Sequence, residues 1–468
     1  MNGEFYNHLL ISSICPFRTE KYSIISPPSQ RLAFLNGLAL LLNGANPCTS
    51  VYVWIKNKKV LISRNERLPD EDKCYFNHFF GLIRIYSRFC LTSNSEGMLE
   101  TYLLLRSLVS QYNKEKLIKR ILDPLFNDSI SNLKKLVNLN INDICAQVDM
   151  NNLKQSTTDY NHLTKQKMNL IDFVSLIFDS INEFISLRDS IRFDKNKPNM
   201  EIIEKVQTIA ALFYNSNVLH SIIGKYFSTG SNSDSDRIHY YFDKVSAHFR
   251  SLNLILKCLR RQETVYGEIY KNIKWEFVEP IENQIKLFES PSITLENIWS
   301  KCNLPNDESK IDFKQKVIGN RLDKYDSNLE LSTCLHSEIR MIDYLIEQNI
   351  GKPEIPDVEI GIAKLPCFPC SLYIEKLNEK FHRQFCVALL TTHGKMYSNW
   401  TFRTNEDESI KQYINDELYK LIKRGLEQSH EKFRNKSGDS DKQEINEDND
   451  DIDIEFTEVM SSLGFKSK

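Results

Sequence analysis

The chain has 468 residues, 41% of them hydrophobic and 26% charged, and its net charge is -2. That length predicts two or three domains with large cores, and the near-neutral balance excludes a global electrostatic grip on nucleic acid, leaving room only for local basic patches. Its eleven cysteines are scattered except for Cys367 and Cys370, a usage that fits a reducing compartment and a metal site rather than a disulfide framework.

Arg18 and Lys21 precede a stretch, residues 23–30, broken by serines and two prolines, so no secretory signal is read there. The most apolar run, Leu32–Leu42, contains Asn36 and Gly37 and is too short to span a bilayer. It reads as a helix, and the chain as cytoplasmic or nuclear with no membrane partner. Residues 51–55 and 60–62 read as two short strands around the polar turn 56–59. From about Phe76 to Phe227 the spacing predicts amphipathic helices, with Leu104 and Leu108 in one and Leu117, Ile118, Ile121, Leu122 and Leu125 in another. Residues 1–227 are therefore expected to form a mainly helical region carrying one short hairpin. Ser228–Asp234 is a polar break. A long helix should follow from Arg237 to about Val265, burying Tyr241, Val245, Phe249, Leu252, Leu256 and Leu259. Trp275–Val278 reads as strand or helix, and the polar stretch 303–330 as a connector, so 237–327 is one helical segment with its linker.

Residues 328–425 change character. Helices are expected after His336, after Cys367 and around Ile410–Leu421, with Gly425 as a stop, and strands at 358–363 and 385–390. Helix and strand alternate, which predicts an α/β sandwich with adjacent strands parallel. Residues 435–468 are acidic, poor in apolar residues, and read as a disordered tail. The fold class expected overall is α+β: a mostly α-helical N-terminal region followed by a C-terminal α/β sandwich.

His336-Ser337-Glu338 and Pro366-Cys367-Phe368-Pro369-Cys370 are the motifs that carry chemistry. One imidazole and two thiolates make three zinc ligands, and three protein ligands on a tetrahedral ion keep the fourth position for water, the layout of a catalytic site. Cys367 and Cys370 are three apart, so one helical turn brings both sulfurs to a point, and Pro369 is tolerated in that first turn. Free amides at the helix start favour ionised thiols. Glu338 is not needed as a ligand and is placed to shuttle protons to and from an activated water. Cys334 is an alternative thiol ligand, weighed against because it lies outside the helix start.

Residues 335–338, residues 360–370, and the stretch Thr392-His393-Gly394-Lys395-Met396-Tyr397 followed by Trp400 together resemble the zinc-dependent cytidine deaminase-like superfamily, and within it the Orientia-type deaminases widespread in fungi. The resemblance covers residues 328–425. It implies a deaminase-like fold and a nucleic acid or nucleotide deaminase, with zinc (Zn2+) on His336, Cys367 and Cys370 and Glu338 as the catalytic proton shuttle. It also implies two strands ahead of the His-x-Glu helix. They are not located between Trp275 and Leu331, so they are either degenerate or lie farther upstream.

Tyr397 or Trp400 could stack on a base and Lys395 could meet a phosphate, with His393 beside them; the competing reading is a structural turn at Gly394 with an aromatic plug. Lys376, Lys380, His382 and Arg383 form one basic cluster, and Arg250, Lys257, Arg260 and Arg261 another; solvated faces are the commoner explanation for both. Two functions follow. One is a zinc hydrolase removing the amine from a cytosine or adenine base, in a nucleotide or single-stranded nucleic acid. The other is a helical scaffold or interaction protein whose deaminase-like domain holds structural zinc.

Overall fold

The computed structural model describes residues 2–15, 29–44, 48–147, 169–194, 199–227, 234–261, 271–350, 358–381, 384–387 and 392–435. The acidic tail, the polar break at 228–233 and the end of the strand expected at 385–390 lie outside these. The class is α+β, with a mostly helical N-terminal region and a few small mixed sheets. Among the described residues no helix is long and apolar enough to cross a membrane.

Two compact units account for the chain, and each is discontinuous in sequence. Among the described residues one gathers those before 40, then 48–69, then those from 274 onward; the other gathers 40–44 and 70–273.

The first unit begins with helices α1 (Asn2–Ile14) and α2 (Gln30–Leu41), then strands β1 (Thr49–Trp54) and β2 (Lys59–Arg64). Val51, Val53, Val60 and Ile62 are fully buried, and so is Leu61. Burial on both faces explains the unbroken apolar runs. A single turn at Ile55–Asn57, closed by left-handed Lys58, joins the strands, and so short a link forces antiparallel pairing, Val51 opposite Ile62.

The chain then enters the second unit: α3 (Asp70–Leu91), α4 (Ser95–Tyr112), α5 (Lys114–Ile121), α6 (Asn127–Leu136), α7 (Ile141–Gln147), α8 (Leu170–Phe193), α9 (Met200–Tyr214), α10 (Asn217–Phe227) and α11 (Asp234–Arg260). The long helix expected after Arg237 is α11, and Tyr241, Val245, Leu252, Leu256 and Leu259 are buried as expected, whereas Phe249 is only half-buried. On α4 the buried face is Thr101, Leu105 and Val109, while Leu104 is 53% exposed, so the Leu104–Leu108 face expected from spacing is corrected by one residue. Of the basic residues weighed as a face at α11, Arg260 and Arg261 are exposed but Arg250 is not part of such a face. Arg250 is buried, pairs with Asp243 and lies 3.7 Å over the Tyr214 ring.

Chain returns to the first unit through β3 (Lys274–Val278), β4 (Glu282–Lys286), α12 (Pro291–Lys301), α13 (Glu308–Phe313), α14 (Asp323–Asn328) and β5 (Glu330–Cys334). The segment read as a connector also supplies core residues, Phe313, Val317, Ile318 and Leu322. Then come α15 (Ser337–Glu347), β6 (Val358–Glu359), β7 (Gly361–Ile362), α16 (Phe368–Phe381), β8 (Phe385–Cys386) and α17 (Glu408–Asn435). Gly425 does not stop α17: the apolar period continues across it through Leu421, Ile422 and Leu426, all buried, and that packing outweighs the backbone freedom of glycine.

The main sheet has the order β3-β2-β1-β7. It is a mixed sheet, whereas the two strands expected to be parallel neighbours, β6 and β8, do pair in parallel. β1 is antiparallel to both neighbours, whereas β2 and β3 are parallel, with residues 70–273 of the second unit lying between them in sequence as the crossover a parallel pair requires. α15 packs on β1, β2 and β3, and the stretch ahead of the His-x-Glu helix in which no strands were located carries three, β3, β4 and β5, with Trp275–Val278 a strand. The strand expected at 358–363 divides at Ile360: β6 pairs with β8 and β7 with β1.

Helix α2 lies so close to β7 that a Cβ at Gly361 would stand 2.2 Å from the Leu35 carbonyl carbon. Gly361→Ala should therefore cost about 1–3 kcal/mol in a urea unfolding measurement, the range for overpacking against a backbone that cannot yield; an unchanged midpoint would contradict this packing.

Burial in the second unit holds several histidines neutral. His220, its ring 4.0 Å from that of His239, is lowered to about 4, first by burial and then by His239; burial and Arg250 lower His239. Burial and Arg120 hold His248 well below the usual range. A depressed folded value means the unfolded chain binds the extra proton, so stability is complete above about pH 6.5 and falls as pH drops toward the folded values. Urea unfolding between pH 7.5 and 5 should show that loss. His220→Phe should reduce its slope by up to about 1.4 kcal/mol per pH unit.

Candidate metal centre

Strand β5 carries the chain to Leu335, and His336 is the extended residue at which α15 begins, with φ -61° and ψ 149°. Cys334 N donates to Asn399 O at 2.6 Å and Leu335 N to Ile281 O at 3.0 Å, which fixes the approach to the helix. The first amide of α15, at Ser337, is taken by Asn65 Oδ1 at 2.7 Å, just past the end of β2. Cys367 immediately precedes α16, and Cys370 lies in its first turn. Phe368 N donates to Lys395 O at 3.1 Å and Ser371 N to Cys367 O at 2.9 Å.

These two helix starts bring His336, Cys367 and Cys370 together, their ligand atoms all within 4.8 Å of one another. Each sulfur lies 3.4 Å from His336 Nδ1. Zinc bonds of ordinary length at a tetrahedral angle would separate nitrogen from sulfur by about 3.6 Å, so the three residues fit zinc in both donor type and spacing. The group has three members among the described residues, and all three are buried. Cys334 is not one of them.

Local electrostatics follow from packing two thiols, an imidazole and a carboxylate out of water. Burial pushes the His336 imidazole down, but the Cys367 thiolate, with help from Glu338 and Asn399, outweighs it and holds the ring above its usual value. Burial raises the Cys367 thiol, and its hydrogen bond with Cys370 together with His336 more than reverses that. Cys370 is driven up by burial, by Cys367 and by Glu338. A divalent cation is the natural counter-charge for such a crowd of acidic groups.

Glu338 is 5% exposed and one residue into α15. Ser337 Oγ donates to Glu338 Oε2 at 3.2 Å and lies 2.8 Å from Ser50 Oγ of β1. Around the other ligands, Asn399 Oδ1 lies 3.4 Å from His336 Nε2, and Trp400 Nε1 donates to Cys370 Sγ at 3.1 Å. Trp400 is fully buried, so the structure places it inside the wall rather than on it. The Tyr397 ring is half-buried and 5.8 Å from that of His336, and the His393 ring is 5.7 Å from Tyr397. His393 Nδ1 accepts from Lys395 N at 3.0 Å, and Thr392 Oγ1 donates to Pro366 O at 2.9 Å, which holds this loop against the start of α16. Lys395 is half-buried. In the basic cluster at the end of α16, Lys376 pairs with Glu379 and Lys380 with Asp407; His382 and Arg383 lie outside the described residues.

Farther back, a buried ion network ties the two helices together. Arg403 Nε meets Glu406 at 3.0 Å and Arg403 Nη1 meets Asp343 of α15 at 3.6 Å, while Tyr373 of α16 donates to Glu406. Asn65, Ser50, Asn399 and Arg403 were not anticipated. No spacing in the chain links any of them to the ligands.

A family described as OTT_1508_deam-like deaminase matches residues 335–404, from the residue before His336 to just past Trp400. No curated protein and no solved structure matches the chain. Over that segment the chain is similar to deaminases, and its histidine and two cysteines are consistent with a zinc site.

Elemental analysis of the purified full chain should find about one zinc per molecule, as expected of a site with two sulfurs and one nitrogen. Cys367→Ser and His336→Ala should each lose at least about tenfold in zinc affinity; zinc content unchanged by both would place the metal elsewhere.

Proposed function

We propose that the chain is a zinc-dependent hydrolytic deaminase acting on a cytosine or adenine base carried by a nucleotide or single-stranded nucleic acid, of the Orientia-type branch. The observation that carries this reading is a buried carboxylate, Glu338, beside a three-residue ligand set to which it does not belong. A structural zinc takes four protein ligands and has no use for a neighbouring acid. The match to a deaminase family over these residues supports the same reading.

His336, Cys367 and Cys370 would hold the ion. When bound, zinc supplies Lewis acidity that makes water a nucleophile near neutral pH. Glu338 is then the group that moves protons. It takes one from the attacking water and passes it to the ring nitrogen, then takes a second from the hydroxyl added at carbon and passes it to the departing amine. Oxygen adds at the amine-bearing carbon, the carbon–nitrogen bond breaks, and ammonia leaves. Ser337 and Ser50 restrain the Glu338 carboxylate through their linked hydroxyls. Tyr397, with His393 beside it and Lys395 nearby, would border the base and its phosphate.

The second reading, a non-catalytic scaffold with structural zinc, draws on the size of the helical unit that interrupts the sheet. Ammonia release measured over a panel of nucleosides, nucleotides and oligonucleotides separates the two. Turnover by the wild type should fall about 10²–10⁴-fold in Glu338→Ala, with zinc retained, the usual weight of a positioned acid–base group. A zinc-loaded wild type silent on every member of the panel would favour the scaffold.

A further inference from the structure

Residues 399 and 400 are adjacent in the chain, and each touches a different ligand of the metal group. Asn399 Oδ1 lies 3.4 Å from His336 Nε2, and Trp400 Nε1 donates to Cys370 Sγ at 3.1 Å. The segment that bears them is pinned to the strand leading into His336. Cys334 N donates to Asn399 O at 2.6 Å, Cys334 and Trp400 form a parallel bridge, and Asn399 Nδ2 reaches Cys334 Sγ at 3.6 Å. One short loop thus connects β5, the histidine at the start of α15 and the second cysteine of α16.

Each contact has a chemical consequence. A carboxamide oxygen only accepts, so in the neutral imidazole that a metal requires Nε2 of His336 carries the proton, which leaves Nδ1, the nitrogen facing the two sulfurs, with the lone pair. An indole N–H only donates, so it directs a sulfur lone pair of Cys370 toward itself and fixes how the remaining density points. Trp400 has no freedom to turn away. It is fully buried, with Phe402, Phe5 and Tyr373 at ring distances of 4.7, 5.8 and 6.0 Å.

We infer that Asn399 and Trp400 are positioning residues for the metal, the first selecting the His336 tautomer and the second aiming the Cys370 sulfur, so that one loop aligns ligands from two helices. The inference rests on the zinc reading of the centre. It concerns how the ligands are held, so its test does not depend on turnover.

The full chain is titrated with zinc against a chromophoric chelator, and cobalt(II) is substituted for its sulfur-to-metal charge-transfer band. Asn399→Leu, similar in size but without an acceptor, should weaken zinc binding about 10–100-fold, the usual effect of removing an outer partner of a ligating histidine. Asn399→Asp keeps the acceptor and should stay within a few-fold of wild type. Trp400→Phe keeps an aromatic ring and removes the N–H, so the thiolate holds its electrons less tightly and the cobalt band should move to longer wavelength. Equal losses in Asn399→Leu and Asn399→Asp, or an unmoved band in Trp400→Phe, would overturn the inference. A wild type that takes up neither zinc nor cobalt would overturn the reading beneath it.

Discussion

Two helices in the first unit must begin at the same point in space. α15 and α16 each turn the positive end of a dipole toward that point, and two like poles gain nothing by meeting. What offsets this is the group between them: the Cys367 sulfur and the His336 imidazole favour each other's charged form, with the Cys370 thiol and Glu338 packed beside them. That arrangement is tight, dry and costly to assemble, so the surrounding residues serve to hold it. β1, β2 and β3 support α15 along one side. The Arg403 network ties α15 to α16 from behind.

The polar support is close to complete on the side that matters. Ser337 N, Ser337 Oγ, Glu338, His336 Nε2 and Cys370 Sγ all have partners, and these come from β1, the end of β2 and the 399–400 loop. Buried ionic groups of this kind stabilise poorly against apolar replacements, and breaking them one partner at a time is expensive. They specify an arrangement more than they strengthen it. A site that must present ligands at fixed angles needs specification of this sort.

What could be read from the chain tracks how local each feature is. The Cys-x-x-Cys pair was legible because one helical turn brings residues three apart together without help from the rest of the fold, and His-x-Glu because its members are nearly adjacent in the chain. The hairpin at 49–64 was legible as a hairpin for the same reason. Its place beneath α15 was not, since more than two hundred residues separate it from that helix and no periodicity carries such information. Leu104 misled because three adjacent leucines, Leu103, Leu104 and Leu105, leave the buried face ambiguous by one position. Arg250 reads as a surface charge until Asp243 and Tyr214 are seen around it. Asn399 is one asparagine among many until its oxygen is found beside a ring nitrogen.

The interrupted sheet has a consequence for how the molecule is made. β1 and β2 leave the ribosome long before β3, β7 and α15, the elements that cover them. At ordinary synthesis speeds the interval from Asn65 to Ser337 is roughly 15–55 s. During that time a ribbon of valine, leucine and isoleucine lacks its third strand and the cover of α15, and an isolated two-stranded ribbon is marginal in water. The helices of the second unit rely on contacts closer along the chain and can settle first. Birth order therefore runs opposite to spatial order: the sheet that lies under the metal group is started early and finished last, and a nascent-chain chaperone would find its binding surface at the hairpin.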